Sequence, residues 1–501
     1  MTDKEFFEGL YARAEAGLKL WESPSVSLGV IKDGKVVFCD GFGLRDVENN
    51  LPSTGDTLYQ IGSCSKAFTC ALAAKLCDEG KLDWDTPIKK YVPEVDFYDA
   101  YVDQNVTVRD LVSHRTGLPR HEYSWYGTNF NKAELVQNIR YLEPNQQPRQ
   151  KFQYNNQCYI LVGHICERIT GKTFEQLLDE YIFGPLKMTR SNAFIESIEE
   201  DANHAEPYDR EDPNVPMKGM KKIPFYKMPI ENREKGIGAP LGPAGSINSS
   251  VHDMLNWVQM HLEKGKFEGE QILSEANVAQ LHKPNMILDA PLDMPMPEST
   301  LWRYSMGWFI EKFRTVKVYQ HGGNINGFSG FTCFVPELGL GVVAYTNMNS
   351  SFLHFALGRT VIDHYLGIED TDWIQRYHDF SVARGNLEDA IKQITGENIK
   401  GTTYSHKLEE YAGVYKRPGY NPATVTLEED GNLYLDFCSA KIRLEHFHYD
   451  TFVMAEVVGE LPAGIPVTFH TAERGGQIDE AIIPLCMEPG ADLIHFKRIE
   501  K

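Results

Sequence analysis

The chain has 501 residues, 42% of them hydrophobic and 24% charged, with a formal net charge of −20. That length allows two or three domains, and the acidic balance argues against nucleic acid or an anionic membrane as a partner. No apolar run approaches a membrane span, and the charged start Met1-Thr2-Asp3-Lys4-Glu5 lacks the apolar core of a signal peptide, so a cytoplasmic location is expected.

Residues 4–22 place Phe6, Phe7, Leu10, Tyr11, Ala14, Leu18 and Trp21 at helical spacing. Two strand-like runs, 26–31 and 35–39, flank Asp33-Gly34, a favoured two-residue hairpin turn. A helix is expected from Ser63 to Cys77, and residues 84–240 read as mostly helical, with helix starts near Val106, Cys158 and Phe174. The polar, Pro- and Lys-rich stretch 202–240 has weak periodicity and reads as a long loop or lid. Strand signals return at 307–310, 317–320, 330–334 and 341–345, before a helix over 352–365. This order predicts one sheet assembled from both ends of a domain, with helices inserted between. Beyond a charged connector, short alternating strands recur from Thr424 to Phe496, as in a small barrel or sandwich. The nine cysteines are odd in number and form no Cys-x-x-Cys pair, so neither a disulfide framework nor a zinc site is expected. His446-Phe447-His448 is the one metal-like pattern of the tail, and strand alternation accounts for it.

Three local patterns carry chemistry. Ser63 sits at a helix start, where backbone N–H groups lack partners, and Lys66 follows on the same face. A serine hydroxyl needs a neighbouring base, and a lysine serves if burial or another cation lowers its pKa. Cys64 is the competing nucleophile, but it points about 100° away round the helix. Tyr154-Asn155-Asn156 precedes a helix and can turn both Tyr154 and Asn156 into one cleft; taken alone, it reads first as a loop tyrosine with an Asn cap. His321-Gly322-Gly323 follows directly on the strand expected to end at Gln320, with residues small enough for a substrate backbone to approach; alone, it reads as an ordinary strand-ending turn.

In that order and with their flanks (Val108 to Pro119, Phe152 to Asn156, His321 to Phe328), these motifs resemble the serine β-lactamase and penicillin-binding protein superfamily. The likeness is closest to its class C branch, which includes D-aminopeptidases, D-Ala-D-Ala carboxypeptidases and β-lactamase-like esterases. It implies an α/β (α+β) domain with a mixed sheet and an all-helical subdomain, followed by a small all-β, lipocalin-like barrel. The expected boundaries are 1–368 for the hydrolase domain, with the helical subdomain at about 65–250, then 369–404 for a helical connector and 405–501 for the barrel. The resemblance further implies Ser63 as acylated nucleophile, with Lys66 and Tyr154 sharing proton transfer in an order left open. Asn156 is implied to hold Lys66 and the substrate amide. His321, Gly322, Gly323 and Asn324 are implied to line the substrate, with the N–H groups of Ser63 and Asn324 as oxyanion hole. No cofactor or metal is implied.

True β-lactamases usually carry lysine where His321 stands, and an unperturbed histidine is only partly charged at neutral pH. The reading therefore leans to a peptidase or amidase acting on small peptides or amides. A carboxylesterase or weak β-lactamase is the alternative, and a non-catalytic sensor or scaffold the second. The tail is expected to restrict access to the groove or to build a homo-oligomer, without supplying a catalytic group.

Overall fold

The structure is a computed structural model. It describes residues 2–211, 219–225, 240–289, 296–368, 371–383, 391–392, 394–457, 461–472, 476–486, 491 and 493–499.

Helix α1 (Asp3–Trp21) starts at a reciprocal capping box between Thr2 and Glu5, which satisfies orphan N–H groups of its first turn. Strands β1 (Ser25–Lys32) and β2 (Lys35–Asp46) form the expected hairpin; Asp33 and Gly34 take φ of 49° and 74°, the left-handed values such a turn requires. After the short β3 (Leu51–Pro52) the chain leaves the sheet and returns as β4 (Met286–Ile287), β5 (Ser299–Tyr304), β6 (Phe309–Phe313), β7 (Val316–Ile325), β8 (Phe328–Val335) and β9 (Leu340–Thr346). The sheet order is β4-β5-β6-β7-β8-β9-β1-β2-β3, so both ends of the domain meet where Val26 pairs with Thr346. Neighbouring strands run antiparallel, and parallel pairing among the described residues is confined to the isolated bridges Leu58–His204 and Tyr208–Met348.

Both faces of this sheet are covered, so its central strands are apolar on both sides. Val342 and Ala344 of β9 face α1 and a helix over Leu353–Tyr365, while Val343 and Tyr345 face the helical side. That side holds helices α2 (Ser65–Asp78), α3 (Asn156–Thr170) and α4 (Val251–Leu262). Phe68 of α2 stacks on Trp257 of α4 at 3.9 Å. Gly163 lets α3 close on the turn Gly242–Gly245: a Cβ there would lie 2.1 Å from Pro243 Cγ. Within the stretch 202–240, Tyr208–Arg210 and Met220–Lys222 form a short ladder, and residues 212–218 and 226–239 lie outside the described residues. In the connector, Trp373–Ala383 is helical, and 369–370, 384–390 and 393 lie outside them.

The tail is a closed barrel of eight antiparallel strands, β10 (Gly413–Lys416), β11 (Ala423–Leu427), β12 (Leu433–Phe437), β13 (Ala440–His448), β14 (Thr451–Met454), β15 (Pro466–Thr471), β16 (Ile478–Ile483) and β17 (Ile494–Ile499). Closure comes from β10 pairing with β17, Val414 opposite Ile499. Its interior is filled by side chains: Tyr411 meets Phe469 at 5.1 Å, and Phe437 meets Phe496 at 5.8 Å. Among the described residues no helix is long and apolar enough to cross a membrane.

Candidate active site

Ser63 lies in a single helical turn, Gly62–Cys64, leading into α2, and is the partly exposed residue of that turn. Glycine is required on both sides of the contact that sets this turn against β7. Gly62 has φ of +51°, and a Cβ on it would lie 2.8 Å from the Asn324 nitrogen; one on Gly323 would lie 1.9 Å from the Ile61 oxygen. The backbones carrying the Ser63 and Asn324 N–H groups are thereby pressed together. The Asn324 side chain turns away, accepting from Ser329 Oγ at 2.8 Å.

Lys66 is fully buried, with Nζ 3.0 Å from Ser63 Oγ and donating a 2.7 Å hydrogen bond to the Ala244 carbonyl. Burial drives its pKa well down, because the charged form loses water; the Arg120 guanidinium pushes the same way and Glu122 opposes. Tyr154 presents its ring 4.8 Å from Lys66 Nζ, and the nearby Ser63 side chain opposes the effect of burial on its hydroxyl. Burial raises the Tyr154 pKa, so its hydroxyl keeps its proton where Lys66 readily loses its own.

Asn155, not Asn156, caps α3, accepting from Cys158 N–H at 3.0 Å and donating to the Pro119 carbonyl at 2.8 Å. Asn156 is buried on the first turn of α3 next to Tyr154. No hydrogen bond joins Asn156 to Lys66 among the described residues; that ammonium's second partner is the Ala244 carbonyl.

His321 lies on β7, 98% buried, its Nε2 3.3 Å from the Tyr304 hydroxyl and its Nδ1 2.5 Å from the Gly322 carbonyl. Burial pushes its pKa down to about 3, and Lys66 adds to the effect. The expectation of a partly charged His321 at neutral pH is therefore corrected: an imidazole sealed against Tyr304 and Phe309 stays neutral. Gly322 backs onto Phe355, 3.1 Å from where a Cβ would stand. Cys64 is buried, its thiol donates to the His321 carbonyl at 3.3 Å, and burial pushes its pKa up to about 12.

Several contributors escape sequence reading. The Ala244 carbonyl is a backbone acceptor, foreshadowed by nothing beyond the small residues of 242–245. Buried His114, at φ +54°, accepts the Asn155 N–H on Nδ1 at 3.1 Å and packs its ring 4.3 Å from Tyr154. Arg120 lies over the Tyr154 ring at 5.1 Å and pairs with Glu122 at 2.5 Å. The segment from Pro119 to Gly127 thus forms one wall of the site. Its outer side is held by the barrel: Tyr420 hydroxyl stands 2.7 Å from His121 Nδ1, and Ser439 Oγ donates to the Gly127 carbonyl at 3.0 Å.

Residues 18–366 match the family described as Beta-lactamase, and residues 397–498 match a domain of unknown function, DUF3471. A hydrolase of Aspergillus violaceofuscus, "Unguisins hydrolase ungD", is 27% identical, the match covering 91% of this chain and 84% of that one. An octameric penicillin-binding protein homologue from Pyrococcus abyssi superposes with a TM-score of 0.62 at 22% identity, covering 99% of this chain and 100% of the other. A D-amino acid amidase from Ochrobactrum anthropi superposes with a TM-score of 0.55 at 20% identity over 75% of this chain and 99% of its own.

Proposed function

The chain belongs to the Beta-lactamase family over residues 18–366, and from that premise we propose that it is a serine hydrolase that forms an acyl-enzyme on Ser63, acting as a peptidase or amidase on small peptides or amides. The observation that carries this reading is the buried Lys66 amine 3.0 Å from Ser63 Oγ. With its pKa lowered, Lys66 is neutral in a usable fraction of molecules, and its lone pair takes the Ser63 proton as Oγ attacks the carbonyl carbon. Tyr154, which keeps its proton, donates it to the leaving amine as the C–N bond breaks, and Lys66 restores it. The N–H groups of Ser63 and Asn324 receive the charge on the carbonyl oxygen, a contribution of about 3 kcal/mol per donor in related sites. Water then attacks the ester carbon as Lys66 takes its proton, and Lys66 returns that proton to Ser63 Oγ as the acyl–oxygen bond breaks and the acid leaves. Asn156 is placed beside the substrate amide in this reading, and Gly322 and Gly323 leave room for the substrate backbone.

The amide preference is supported by the neutral His321, which offers no fixed cation for a β-lactam carboxylate, and by the hydrolase and amidase among the relatives. The octameric neighbour, which extends over the barrel as well, supports self-association of this chain; light scattering tests that part. For the activity, intact-mass analysis after fluorophosphonate treatment is expected to show one adduct on the Ser63 peptide. Turnover of D- and L-aminoacyl amides is expected to exceed that of short esters and a chromogenic cephalosporin. A labelled protein that turns over esters alone points to the esterase instead, and a protein that resists label and every substrate is a binding protein.

A further inference from the structure

A cavity of about 370 Å³ lies away from Ser63, where the outer side of the Pro119–Gly127 wall and the segment behind it meet the barrel. Its floor is polar and internally matched. His121 Nε2 stands 3.0 Å from the Glu143 carbonyl, which fixes the N–H on that nitrogen and turns the Nδ1 lone pair toward the Tyr420 hydroxyl at 2.7 Å and Cys486 Sγ at 3.2 Å. Burial pushes the His121 pKa down to about 4, so this floor carries no charge at neutral pH. The rim differs. Arg417 and Glu143 face each other there as an ion pair with side chains 29% and 33% exposed. Asn145, also on the lining, has a buried Nδ2 without a hydrogen-bond partner. Beside these, Tyr141 and Leu493 are large apolar side chains left 41% and 53% exposed.

We infer that this cavity binds a small zwitterion with an apolar side chain, a free amino acid. Charge balance at the Arg417–Glu143 pair selects this ligand class. A ligand with only a carboxylate draws Arg417 from Glu143 and leaves a carboxylate uncompensated; a ligand with only an ammonium strands Arg417. A zwitterion satisfies both partners at once. An apolar side chain then covers Tyr141 and Leu493, and the volume suits one or two residues. Occupancy reaches the active site through a short path: Pro119 on the cavity wall accepts the 2.8 Å bond from Asn155, next to Tyr154, and Arg120 beside it lies over the Tyr154 ring. A filled cavity therefore changes the rate of Ser63 acylation. That coupling rests on the hydrolase reading; the binding does not.

The test titrates D- and L-leucine into full-length Ser63→Ala protein by calorimetry, with 3-methylbutanoate and 3-methylbutylamine as half-ligands. Saturable binding of one leucine enantiomer is expected, with each half-ligand weaker by about tenfold or more. Glu143→Gln and Arg417→Met are each expected to weaken leucine by about tenfold, while Arg417→Lys retains most binding. Binding that is unchanged in both variants lies elsewhere and overturns the site, as does equal binding of the half-ligands or none at tens of millimolar leucine. If the wild type binds leucine as expected but fluorophosphonate never labels Ser63, the hydrolase reading fails and the site stands.

Discussion

The Ala244 carbonyl holds the Lys66 ammonium at 2.7 Å across 178 residues of sequence. This bond aims the amine at Ser63, and the turn that supplies it is fixed by Gly163 closing on Pro243. Gly163→Ala is therefore expected to slow fluorophosphonate acylation by about a hundredfold, the scale of a one-ångström misplacement at a reacting centre. Circular dichroism is expected to show the fold retained; acylation at the wild-type rate refutes the role given to the turn.

The nucleophile is tested by a pair of single changes. Ser63→Ala is expected to abolish the covalent adduct, and Cys64→Ala to leave it in place, because the Cys64 thiol is buried with its pKa raised to about 12. A mass shift retained in Ser63→Ala sinks the assignment.

The pH dependence of acylation has a defined sign. In the proposed mechanism Lys66 acts when neutral, so the rate is expected to rise with pH through a single limb below the usual lysine value of 10.5. Burial sets most of that depression, Arg120 deepens it and Glu122 offsets it. Arg120→Gln is expected to move the limb to higher pH and Glu122→Gln to lower pH. His321, with a pKa pushed down to about 3, is expected to contribute no limb between pH 5 and 9. Shifts of the same sign in both variants contradict the charge arrangement.

Acid stability follows from buried histidines. His121 is pushed down to about 4, and His282, His321 and His354 to about 3, all chiefly by burial. Below the unfolded value of 6.5 the unfolded chain takes up protons that the folded chain refuses, so stability falls as pH drops toward 4. Each such histidine adds about 1.4 kcal/mol per pH unit to that fall. His354→Phe is expected to flatten the decline of Tm between pH 6 and 4; an unchanged slope argues against a neutral buried His354.

The barrel is expected to act on selectivity through the wall it touches. A Cβ on Gly127 would lie 2.4 Å from the Cys438 carbonyl, so Gly127→Ala parts the two surfaces. Acylation by a minimal ester is expected to stay within about threefold, while the ratio between long and short amide substrates changes more. Loss of the minimal-ester reaction means the barrel supplies part of the chemistry.

Much of this was legible in the sequence because the signals are local. The Asp33-Gly34 turn, the helix after Ser63 and the strands around His321 depend on neighbours in the chain. Strand β5 was not legible: Leu301 takes φ +53° and the register slips between Thr300 and Arg303, breaking the two-residue period. Strand β10 is four residues long and begins with glycine, too short for a pattern. At the site, residue types announced Ser63, Lys66 and Tyr154, but not the Ala244 carbonyl, since a backbone acceptor has no letter. The charge state of His321 depends on Tyr304 and Phe309 closing over it, which alternation along one strand does not reveal.

The pairing of β10 with β17 has a consequence for the timing of synthesis. The wall from Pro119 to Gly127 leaves the ribosome early, yet its outer support is a barrel that closes only when Ile494–Ile499 has been made. Domains fold as units in the order they emerge, so the hydrolase half stands assembled for a time with His121 and Gly127 facing water instead of Tyr420 and Ser439. A nascent chain halted before β17 carries Ser63, Lys66 and Tyr154 but an unsupported wall, whose outer contacts arrive with the last strand.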